Sequence, residues 1–103
     1  MIPMQTISRI TALQAQAVVN YFLSDHLPDR FTADQPEWSM LNQDWSVPVV
    51  LGYPSLGVLG IVGEVRVSDA EQQISAHTPF EQMKQVGLEL YTVNRDAIEA
   101  DFP

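Results

Sequence analysis

Hydrophobic and polar positions predict a helix first. In TALQAQAVVNYFLS, Thr11 to about Ser24, one stripe at helical spacing holds Ile10, Leu13, Ala17 and Tyr21. A second, nearly opposite, holds Ala12, Ala15, Val19, Phe22 and Leu23. Thr11 and Gln14 have the spacing of a capping box. Only neutral polar groups, Gln14, Gln16 and Asn20, lie between the stripes. A helix apolar on two sides is normally buried on two sides. Either the helix is enclosed within its own domain, or the face with Ala12, Ala15, Val19 and Phe22 meets another subunit.

Asp25 to Asp44 is polar and acidic, with turn signals at LPD, ADQP and NQD. Within it Glu37 to Leu41 alternates as a short strand, and Trp38 is the aromatic expected at the surface. Trp45, Val47, Val49, Leu51 and Tyr53 then alternate along an extended segment. Pro48 cannot donate to a ladder and suggests an edge strand or an unpaired position near the strand's start. Tyr53 to Gly57 reads as a turn. Beyond it Ile61, Gly63, Val65 and Val67 share one face, and Val62, Glu64 and Arg66 the other. Ser68 to Gln72 turns the chain, and Gln73 to Thr78 returns with Ile74 and Ala76 inward. Ser75 and His77 are then outward, beside Glu64 and Arg66.

The last helix is one-sided. Thr78 is placed as N-cap, Pro79 at the first helical position and Glu81 at the third. Phe80, Met83, Leu90, Tyr91 and Ile98 form its apolar stripe over about 18 residues, with Gly87 on the same face. No helix separates successive strands. The expected fold is therefore one α+β domain over 1–103: an antiparallel meander of three to four strands, with an N-terminal and a C-terminal helix packed on it.

Three glycines at intervals of three, Gly57, Gly60 and Gly63, raise the prospect of a phosphate cradle. A dinucleotide fingerprint needs GxGxxG running into a helix, and a phosphate loop needs a following Lys. Here Glu64 to Val67 continues as strand, so the glycines read as bulges or bends, with Gly60 opposite to Gly57 and Gly63.

Thirteen acids against five bases give a net charge of −8, which disfavours nucleic acid because phosphate contact needs clustered Lys and Arg. The absence of cysteine excludes disulfides, thiolate metal sites and a Cys nucleophile. His26 with Asp25 and Asp29 matches no standard ligand spacing, so no metal and no cofactor is expected. MIPMQTISRI lacks the basic segment and apolar run of a secretory signal, and no run is long enough to span a membrane. The expected location is the cytoplasm.

VGEVRVSDAEQQISAHT, Val62 to Thr78, resembles the hairpin of PepSY-type modules, where a strand enters a V-D-A-x-T-G-x-V turn and returns. Ser68 precedes Asp69-Ala70 here, and Gln72-Gln73 stands where the family has Thr-Gly. The upstream helix and Trp45-Ser46-Val47 are similar to that pattern. The likeness implies a small α+β domain of a kind that binds other proteins or inhibits proteases, usually outside the cytoplasm. The WxVPVxLxYP…VGEV…HTPF pattern is also similar to that of small bacterial proteins, and implies no activity.

Two function classes follow. One is a non-enzymatic interaction or regulatory domain, homodimeric or bound to a protein partner, using Trp38 and the helix face Ala12, Ala15, Val19 and Phe22. The other is a ligand-binding or enzymatic domain with a cavity between sheet and helices, or a site at Glu64, Arg66, Ser75 and His77. The first is the expectation, since no catalytic constellation can be assembled from the residues.

Overall fold

The computed structural model describes residues 10–100. Its centre is one long hairpin, β3 (Asp44–Tyr53) and β4 (Gly57–Ser68), joined by a turn in which Gly57 takes a φ of 76°. Ahead of it run α1 (Ala12–Ser24), β1 (Phe31–Ala33) and β2 (Glu37–Ser39); after it come β5 (Gln73–His77), α2 (Phe80–Val93) and α3 (Arg95–Glu99). The sheet is antiparallel throughout, in the order β1-β3-β4-β5, with β2 also paired to β3. The fold is the expected α+β arrangement, with helices before and after the sheet. Among the described residues no helix is long and apolar enough to cross a membrane.

The added strand is β1, three residues long and set in the acidic connection. It pairs with Val49 to Leu51 of β3, while β2 pairs with Asp44 to Ser46. That places β3 in the interior, so of the two positions expected for Pro48, an edge strand or an unpaired position near the strand's start, the edge is overturned. Pro48 falls at the gap between the two short strands, where its carbonyl accepts from Asp34 N at 2.8 Å. The reciprocal bond, to the Asp34 carbonyl, is one proline cannot make, and that carbonyl accepts from Gln16 Nε2 at 3.2 Å instead.

The core lies between the inner sheet face and the helices. Val47, Val49, Val65 and Val67 meet Ala15, Val19 and Leu23 of α1 and Met83 of α2. Fully burying a side chain of the Val, Leu or Met class stabilises by about 1.5–3 kcal/mol. The second stripe of α1 is therefore the core face. Ala15 and Val19, expected at a subunit interface, are completely buried within the domain. Ala12 and Phe22 beside them are half-buried. The stripe left outside is the first one from Leu13 onward, with Leu13 and Tyr21 each 75% exposed, while Ile10, ahead of the helix, joins the core. The capping box at Thr11 and Gln14 is formed in both directions. The neutral polar positions also have a use: Gln16 Nε2 donates to the carbonyls of Ala33 and Asp34, and Asn20 Oδ1 accepts from Ala33 N. These side chains cover the free edge of β1.

The glycine spacing is resolved by two bulges in β4. Gly63 pairs with Val49 and Ile61 with Val50, so Val62 is an extra residue; Gly60 pairs with Leu51 and Val58 with Gly52, so Leu59 is another. Each bulge resets the alternation. Gly60 and Gly63, expected on opposite faces, both lie under α2. A Cβ would come within 3.1 Å of Leu90 at Gly60, and within 3.0 Å of Met83 and Thr78 at Gly63.

The C-terminal helix differs from its expected form at both ends. Pro79 occupies the cap and Thr78 Oγ1 instead accepts from Glu64 N at 3.0 Å, tying the helix start to β4. At Asn94 the helix breaks, its side chain donating to Leu90 O, and α3 turns to bury Ile98.

Candidate functional site

The residues expected to cluster on the outer sheet face separate into two groups. Glu64 and Arg66 share that face with Asp44 and Ser46. Arg66 grips Asp44 with two bonds, Nη2 to Oδ1 at 2.7 Å and Nε to Oδ2 at 2.8 Å, and reaches Glu64 at 3.0 Å. Ser46 Oγ donates to the same Glu64 oxygen. Asp44 is buried, and its hydrogen bonds hold the Arg66 proton more tightly than usual, with burial acting the other way. Acceptors and donors here satisfy one another across β3 and β4, the arrangement of a structural clamp.

His77 does not belong to that group. Val67 pairs with Ile74 and Arg66 with Ala76, so Ser75 is an extra residue on β5, and its hydroxyl sits 3.4 Å from the Arg66 carbonyl. The bulge turns Ala76 outward and His77 inward, opposite Val65. His77 stacks on Phe80 at 4.6 Å, and His26 stacks on the same ring at 4.5 Å. Phe22 closes the cluster. Each histidine places Nδ1 on a backbone carbonyl, Phe22 O for His26 and Thr78 O for His77. The four rings fasten the end of α1 to the start of α2. Trp38 is likewise not free: it is half-buried and meets Trp45 edge to face at 5.2 Å, while Trp45 Nε1 donates to Ile10 O.

An open cavity lies at the other end of the sheet. About 300 Å³ in volume, it is floored by Phe31 and Leu51 and bounded by Leu88 and Tyr91 of α2. Gly87 makes it possible for α2 to sit so close, since a Cβ there would lie 2.7 Å from the edge of the Phe31 ring. Two cations line it: Arg30, from the loop before β1, and Lys84, from α2. The Arg30 guanidinium lies 5.0 Å over the Tyr53 ring. Arg30 and Tyr53 also line a second cavity of about 280 Å³ beside Pro54 and Val58. The Tyr91 hydroxyl donates to Glu99 at 3.1 Å, which raises its pKa.

Nothing in the sequence pattern marks this cavity. Its lining comes from three segments far apart in the chain, and Arg30 appears there only as one of five scattered bases. The one available signal is Gly87 on the apolar helix face, which announces a close approach. Comparisons with known protein families, curated proteins and solved structures match nothing to this chain.

Proposed function

We propose that the protein is a non-enzymatic interaction module that works as a homodimer, paired through the outer face of α1. The observation that carries this reading is the exposed stripe Leu13–Ala17–Tyr21 on a helix with no charged residue. Two chains of net charge −8 repel, so a self-pairing surface has to be one without acids. The stripe is also self-complementary. In a two-fold pair residue i meets j and j meets i. Antiparallel α1 helices centred on Ala17 set Leu13 against the partner's Tyr21 twice, with the small alanines letting the axes approach. The resemblance of Val62 to Thr78 to the hairpin of PepSY-type modules supports the same class, since several of those modules bind other proteins.

Sedimentation analysis of the native chain tests this, with Ala17→Glu as the disrupting variant. Ala17 is exposed, so the variant folds, and it sets two carboxylates against each other at the dyad. The expected result is a dimer for the native chain at about 100 µM and a monomer for the variant. A native monomer at that concentration, or a variant that still dimerises, overturns the proposal.

A further inference from the structure

We infer that the cavity beneath α2 binds a small amphipathic acid, with its carboxylate between Arg30 and Lys84 and its apolar body on Phe31 and Leu51. This goes beyond the dimer and does not depend on it. The first ground is local charge. The chain carries thirteen acids, yet the residues lining this cavity include two cations and no carboxylate. Among the described residues Arg30 has no ion-pair partner and rests instead on an aromatic face. Lys84 has only Glu81 at 3.7 Å, in a pair whose carboxylate side chain is 91% exposed, and such contacts yield readily to a better one.

The second ground is shape and polarity. The floor is apolar and preformed, because Gly87 lets the ring of Phe31 lie against the helix backbone. A volume of about 300 Å³ lies at the small end of the range usual for small-molecule sites. An apolar pocket with a few placed polar groups is the usual form of a small-ligand site. Asp29 lines the neighbouring cavity behind the Arg30–Tyr53 pair, and Glu99 is held by Tyr91, so neither carboxylate lines the cavity itself.

Calorimetric titration of the full chain with decanoate, decanol and decyltrimethylammonium tests the inference. Decanoate is expected to bind at least roughly tenfold more tightly than decanol, and the cation not at all. The Arg30→Gln/Lys84→Gln variant should lose the preference for decanoate and keep its weak affinity for decanol. Leu88→Glu, at an exposed position on the rim, should weaken decanoate about tenfold. Lys84→Gln alone serves if the double variant fails to fold. Equal affinity for decanoate and decanol overturns the inference. So does decanoate binding that ignores both cations, or no decanoate binding at about 1 mM.

Discussion

The two ends of the β3–β4 hairpin are built from the same pair of strands and behave as opposites. At the Asp44–Ser68 end, β4 is paired on both sides and its charges answer one another: Arg66 with Asp44 and Glu64, Glu64 with Ser46. At the Tyr53–Gly57 end, β4 has β3 alone among the described strands, Val58 and Ile61 stand exposed, and a cavity opens beneath Arg30. The first end consumes its own chemistry in holding the sheet together. The second has chemistry left over. A dense constellation of charges is here a structural clamp, whereas Arg30 stands over an apolar floor with no ion-pair partner among the described residues.

Truncating the helix contacts on either side of this divide tests it most forcefully. Met83→Ala, at a completely buried side chain over Gly63, should cost about 3 kcal/mol, and Leu90→Ala, half-buried over Gly60, about half as much in chemical denaturation. Equal losses would mean the two ends are packed alike. Next, Arg66→Ala should cost about 2 kcal/mol by leaving the buried Asp44 unpaired; the figure is below that of a sealed ion pair because the guanidinium is 26% exposed. Decanoate affinity should not move in this variant. A drop in affinity would tie the two ends together.

The smallest effect is at Tyr91. Its hydrogen bond to Glu99 raises the phenol pKa, with desolvation and the carboxylate's charge in the same direction. A raised folded-state value contributes stability that is in place below the unfolded value and is lost as pH rises through the folded one. Ultraviolet titration should therefore show one tyrosine ionising above the ordinary phenol range, and Glu99→Gln should bring it back. Titration of all tyrosines together in the native chain would mean that the bond is not held in solution.

Much of the scaffold was legible because local signals and tertiary packing agree there. The capping box at Thr11, the alternation from Trp45 to Tyr53 and the glycine turn at Gly57 all appear as the pattern implies. Failures come where one residue changes the count. A bulge at Ser75 moved His77 to the inner face, and bulges at Leu59 and Val62 moved Gly60. Strand β1 escaped notice because it is only three residues long, Phe31–Ala33, too short for its alternation to stand out of a polar connection. Two equally apolar stripes on α1 gave no means of choosing the buried one. The Asp44–Arg66 grip and the cavity both join residues distant in sequence, and only register and helix placement bring such groups together.

The period-three glycines have a metric consequence. The two glycines under α2, Gly60 and Gly63, pair with Leu51 and Val49, which are only two residues apart on β3, so along the sheet they stand about 7 Å apart although their numbers differ by three. On the helix above, the seven residues from Met83 to Leu90 advance about 10.5 Å. The bulge at Val62 is what turns both glycines toward that helix, over nearly two of its turns. A GxxG in a strand that lies under a helix is then the mark of a bulge: with the extra residue deleted, G-x-G would set both glycines on one face by plain alternation.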